Sequence, residues 1–142
     1  MNYKVDGQNI ILVLEQGEDI VEQVTAIARQ QGKFGTVSGI GACQGVELNF
    51  YNLETQTYEK REVEEPLELI SLLGNISRVD DKPFAHLHAT FGTNQYQTLS
   101  GHLTKAIVSA TAEIVITMTD LDINRKHDSK IGLNLLDLSS DS

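Results

Sequence analysis

The sequence predicts an α+β domain, a mainly antiparallel β-sheet flanked by one or two helices. Three observations predict it. Several stretches alternate apolar and polar residues with period 2, one stretch repeats apolar residues at helical spacing between two capping signals, and turn-forming residues separate them. At 142 residues the chain reads as a single domain over 1–142, with its core over about 8–138 and 139–142 as a flexible tail.

Residues 8–14 read as a first strand. Asp19 then caps a helix, with Glu22 three residues on in a capping-box arrangement and Gly32 closing it. Ile20, Val24, Ile27 and Ala28 form the apolar stripe that this helix buries. Residues 33–42 read as a strand punctuated by Gly35, Gly39 and Gly41. The run Gly39-Ile40-Gly41-Ala42-Cys43-Gln44-Gly45 superficially matches a dinucleotide-binding loop, which needs a helix directly after it and an acidic residue about 20 positions on. Residues 46–51 alternate as a second strand instead, so the glycines read as a bend or a close backbone approach. A turn over 52–57 makes a hairpin into 58–63. Residues 67–76 are almost continuously apolar and predict a central strand covered on both faces. Residues 103–108 fit either a strand or a short helix. Over 112–119, Ala112, Ile114, Ile116 and Met118 share one side and Glu113 takes the other; 131–138 is a short last strand.

Charge narrows the partners. Eleven Lys and Arg against 20 Asp and Glu give a net charge of −9, which repels phosphate backbones. The local basic groups, Lys60-Arg61 and Arg125-Lys126-His127, read as solvated loop charge, so direct DNA binding by this chain alone is not expected. A lone cysteine, Cys43, excludes an internal disulfide and reads as a small buried hydrophobe suited to a reducing, cytoplasmic setting. The apolar run at 10–14 is too short for a secretion signal, and no stretch approaches the roughly 20 apolar residues of a membrane span.

Three of the four histidines lie within 17 residues, His86-Leu87-His88 and then Gly101-His102. In the segment 83–91, Ala85, Leu87, Ala89 and Phe91 share one apolar face, and Phe84, His86, His88 and Thr90 share the other. An H-x-H on a strand places two imidazoles on one side about 7 Å apart at their Cα atoms. A third histidine from a neighbouring strand would complete a three-nitrogen site for zinc or another divalent transition metal, leaving a fourth position for water or a carboxylate. A solvated polar strand face is the competing reading of the same spacing. Binding would require neutral imidazoles, so affinity would fall as pH drops through about 6.5. Gly101 would let the backbone pass close to the H-x-H strand.

Seven segments occur in an order that resembles the PPC (plant and prokaryote conserved) domain. They are Gly17-Glu18-Asp19, the run 38–42, Leu48-Asn49-Phe50-Tyr51, the run 67–76, the run 83–89, Gly101-His102-Leu103 and Glu113-Ile114-Val115-Ile116. The resemblance covers about 8–138. It implies a compact antiparallel sheet with flanking helices, assembled as a homotrimer, and single-domain prokaryotic members associated with DNA binding. It also implies metal coordination by His86, His88 and His102, while His127 lies outside the motif and reads as a surface residue. Plant members carry basic AT-hook segments, and this chain has no Arg-Gly-Arg-Pro hook. Cupins, which also use an H-x-H strand, place a glutamate shortly after it; Ala89 to Thr93 offers none.

The expected function is therefore a homotrimeric, zinc-binding module with a small-molecule or protein partner. One alternative is a zinc-dependent hydrolytic or lyase-type enzyme using metal-bound water, with Glu113 as candidate general base. The other is accessory DNA binding through a further subunit.

Overall fold

The structure, a computed structural model, describes residues 1–139. Nine strands form one sheet: β1 (Asn2–Asp6), β2 (Asn9–Glu15), β3 (Gly35–Asn52), β4 (Thr57–Val63), β5 (Leu67–Val79), β6 (Lys82–Gly92), β7 (Thr98–Met118), β8 (Asn124–Asp128) and β9 (Leu133–Leu136). Among the described residues a single helix, α1 (Ile20–Gln31), follows β2. All strand pairs are antiparallel except β5 with β8. The predicted α+β class is met with one helix.

Helix α1 forms where its caps place it. The Asp19 carboxylate accepts from the backbone N–H groups of Val21 and Glu22, and Gly32 ends the helix in the left-handed region at φ 65°. Ile20, Val24, Ile27 and Ala28 are buried against the sheet. They belong to one core with Leu87, Ala89 and Phe91 of β6, Ala112, Ile114 and Ile116 of β7, and Ile10, Leu12 and Leu14 of β2. Each large side chain so buried contributes about 1.5–3 kcal/mol.

The pairings β3–β5, β5–β6, β6–β7 and β7–β3 close a circuit. The inward side of the circuit is the core. Its outward side carries His86, His88 and His102.

The structure corrects or completes the sequence expectations at five places. The strands expected at 33–42 and 46–51 are one strand, β3, whose register shifts at bulges near Gly39–Gly41 absorb the glycines without breaking it. Residues 103–108 are strand, within β7. β1 was not foreseen: Tyr3 and Val5 alternate with Asn2, Lys4 and Asp6, but the stretch is only five residues long and none of it is buried. The basic run at 125–127 is not loop but strand β8. Finally, β5 is covered on one face only: Leu67, Leu69, Leu72 and Ile76 are buried, while Ile70 and Leu73 are 55% and 60% exposed. Continuous apolarity cannot distinguish a face covered by the chain's own residues from one left open. Cys43 is buried as expected, and burial pushes its thiol up to about 12, which keeps it inert. Residues 140–142 of the expected tail lie outside the described residues.

Strand β5 meets β6 closely at Gly74. A Cβ there would lie 2.0 Å from the His86 carbonyl oxygen and 2.8 Å from Leu87 Cδ2. Gly74→Ala is therefore expected to destabilise the fold by about 2–3 kcal/mol, through overpacking against backbone that carries a site residue. Denaturant unfolding of the variant beside the parent checks this; equal midpoints would refute it.

Candidate metal centre

The alternation of β6 turns Leu87 and Ala89 inward and His86 and His88 outward, as the sequence predicts. His88 pairs directly with His102 across β6 and β7, and Asn75 of β5 pairs with His86. Directly opposed residues of antiparallel strands share a face, so the three imidazoles converge. One ligand atom from each lies within 4.8 Å of the other two. The Nε2 atoms of His86 and His88 are 3.2 Å apart, a separation suited to two ligands of one tetrahedral ion with bonds of about 2.0–2.1 Å. His102 Nδ1 is buried without a hydrogen-bond partner. A buried imidazole nitrogen left unpaired is costly. Three imidazole donors so placed fit a divalent transition metal.

The surrounding groups fix the rings. Tyr58 of β4 stacks on His102, centroids 5.3 Å apart at 28°, and Tyr51 packs on Tyr58 at 5.0 Å. Arg125 of β8 reaches His86, its guanidinium Nη2 3.4 Å from Nδ1. A groove of about 310 Å³, lined by Ser71, Leu73, Thr90, Ser100 and His88, opens beside the cluster. Burial, then the positive charge of Arg125 and the neighbouring imidazoles, lowers His86 to about 4. Burial likewise lowers His102, with smaller effects from His88 and Arg125. Proton competition at these two ligands thus sets in below the 6.5 expected from the sequence.

Gly101 differs in detail from its expected role. A Cβ there would stand 3.0 Å from the Asn49 carbonyl oxygen, so the close approach it allows is to β3, not to the H-x-H strand. Glu113 is exposed, opposite Val13 and Ile40, and outside the histidine cluster. His127 is exposed on β8, as expected. Arg125 is the residue that sequence reasoning missed, because a short basic run gives no sign of a non-local parallel pairing.

Residues 1–120 match the Plants and Prokaryotes Conserved (PCC) domain. The chain belongs to that family. Among solved PCC-like structures, a protein of Bacteroides thetaiotaomicron described as a "putative dna binding protein" is similar at 32% identity and TM-score 0.94, over 98% of each chain. A metal-containing protein of Archaeoglobus fulgidus is 34% identical at TM-score 0.83, over 94% of this chain and 95% of that one. A plant- and prokaryote-conserved protein of Pyrococcus horikoshii is 26% identical at TM-score 0.85, over 98% and 96%. No curated protein matches the sequence. Among the described residues of this PCC domain, no helix is long and apolar enough to cross a membrane.

The lowered His86 makes metal-free stability depend on pH. The unfolded imidazole takes its proton near pH 6.5, whereas the folded one resists until about 4, so the unfolded state binds more protons in that window. With metal chelated, stability is expected to fall as pH drops from about 6.5 to 4, and to fall less steeply in His86→Gln. Denaturant melts of both proteins across that range check the difference; parallel curves would refute it.

Proposed function

We propose that this PCC domain is a homotrimeric metal-binding module in which His86, His88 and His102 hold one divalent ion per chain, zinc first. The observation that carries the reading is the convergence of three imidazole ligand atoms within 4.8 Å of one another. The metal-containing relative at 34% identity supports it. Bound zinc would supply Lewis acidity to a small molecule in the adjoining groove. Glu113 stands apart from the cluster, which favours a binding module over the hydrolytic or lyase-type reading.

Assembly rests on the outward face of the sheet. A row of directly paired residues runs Ile11, Val115, Ser38, Leu73, His88, His102 across β2, β7, β3, β5, β6 and the start of β7. Ile11, Val13, Ile40, Ile70, Leu73 and Val115 are all exposed on this face. A contiguous apolar face of this kind marks an interaction surface, and copies of the chain around a threefold axis would cover it. Association with DNA, suggested by the description of the Bacteroides relative, would run through a further basic partner, given the net charge of −9.

Metal analysis of purified protein before and after chelation, with light scattering for mass, tests the reading. One ion per chain and three chain masses are expected. His86→Ala, His88→Ala and His102→Ala should each lose stoichiometric metal while His127→Ala keeps it. Parent-like metal content in all three cluster variants would overturn the ligand assignment, and a monomer mass would overturn the trimer.

A further inference from the structure

The histidine cluster is short of negative charge. Arg125 lies against it with every hydrogen-bond partner neutral: Nε donates to Ser77 Oγ at 2.8 Å, Nη1 to the Asn134 carbonyl at 3.0 Å and Nη2 to Asn75 Oδ1 at 2.8 Å. Its guanidinium carbon sits 5.2 Å from the Phe84 ring centroid. These contacts hold the cation in place beside His86, 3.4 Å from Nδ1. No Asp or Glu joins the three histidines of the cluster, and Arg125 is the charged side chain that bears on His86 and His102. That is a marked local exclusion in a chain of net charge −9.

Neutral imidazoles return no charge to a divalent ion. An ion in this cluster, together with Arg125, would leave a concentrated positive site at the edge of a groove bearing the hydroxyl side chains of Ser71, Thr90 and Ser100. We propose that the site takes a carboxylate as co-ligand of the metal, retained by the charge of Arg125; this rests on the metal reading above. Two sources share that chemistry. One is a free small carboxylate in the groove. The other is Glu113 of the partner subunit, since the Glu113 carboxylate is exposed among apolar neighbours on the same outward face and makes no ion pair among the described residues. A carboxylate covered by a second copy would need a cationic partner, and the cluster offers one. Arg125 acts here as a positioning and charge-supplying residue, not as a ligand. By linkage, the carboxylate and the metal should each tighten the other's binding.

The test uses the full chain loaded with cobalt(II), whose visible spectrum reports its ligands, titrated with acetate and with acetamide as a neutral match in shape. A saturable response to acetate and none to acetamide in the parent assigns a free carboxylate. A response to acetate seen only in Glu113→Gln assigns Glu113 of the partner subunit. In whichever protein responds, Arg125→Met should weaken acetate on the order of tenfold with cobalt still at one per chain, and Arg125→Lys should weaken it less. If Arg125→Met does not fold, the contrast of acetate with acetamide in the parent and in Glu113→Gln decides alone. Indifference to acetate in both proteins, an equal response to acetamide, or parent-like acetate affinity in a folded Arg125→Met overturns the proposal. A protein that takes up no cobalt overturns the metal reading and this proposal together, which separates the two failures.

Discussion

The double pairing of β6 is the constraint on which the rest of the structure depends. It is bonded to β5 over almost its whole length and to β7 from His88 to Gly92, so it closes the sheet. With both edges engaged, the strand has no freedom to slip. A shift of one residue would turn Leu87, Ala89 and Phe91 out to water and drive the imidazoles into the core under α1. Exposing Leu87 and Phe91 alone would cost about 1.5–3 kcal/mol each, before the penalty for burying unpaired ring nitrogens. The apolar half of the strand therefore fixes where the polar half points. The placement of His86 and His88 is a consequence of packing on the opposite face.

The third histidine follows from the same closure. β7 is long enough to serve two neighbours on one side, β6 near its start and β2 near its end, while β3 runs along the other. Its early part brings His102 opposite His88, and its later part carries Ile114 and Ile116 into the core. The bulges between β3 and β7 let one strand keep both registers. Gly74 and Gly101 serve the same end: each allows a neighbouring backbone to come close where a side chain would hold it off.

Much of this was legible in the sequence because it is encoded locally. The caps of α1, Asp19 and Gly32, lie within one turn of the helix they bound, and the alternation around His86 and His88 needs only nine residues to read. What was not legible is encoded at a distance. Arg125 reads as loop charge because its neighbours Lys126 and His127 are polar. Its place is set by Ser77 and Asn75, roughly 50 residues earlier, through a parallel pairing of only two residue pairs. The break expected between Ala42 and Val46 was an error of the same kind, since the partners that keep β3 continuous lie on β5 and β7. The one-sided burial of β5 has a different origin: residues 67–76 are apolar enough for two covered faces, and the chain itself covers one.

That open face and the histidine cluster are parts of one surface. Leu73, exposed on β5, pairs directly with His88, so the apolar row ends where the imidazoles begin. A second copy laid on the row would approach the cluster from the side of the groove formed by Ser71, Thr90 and Ser100. It would remove water from the mouth of the site and raise the effective strength of every charge there, the Arg125 guanidinium included. A domain of this size builds a core without help from a metal, and its buried residues run from β2 through α1 to β7. The cluster is therefore not needed to hold the chain together. The exposed apolar row, the Arg125 charge and the histidine cluster meet at the outward face of β6.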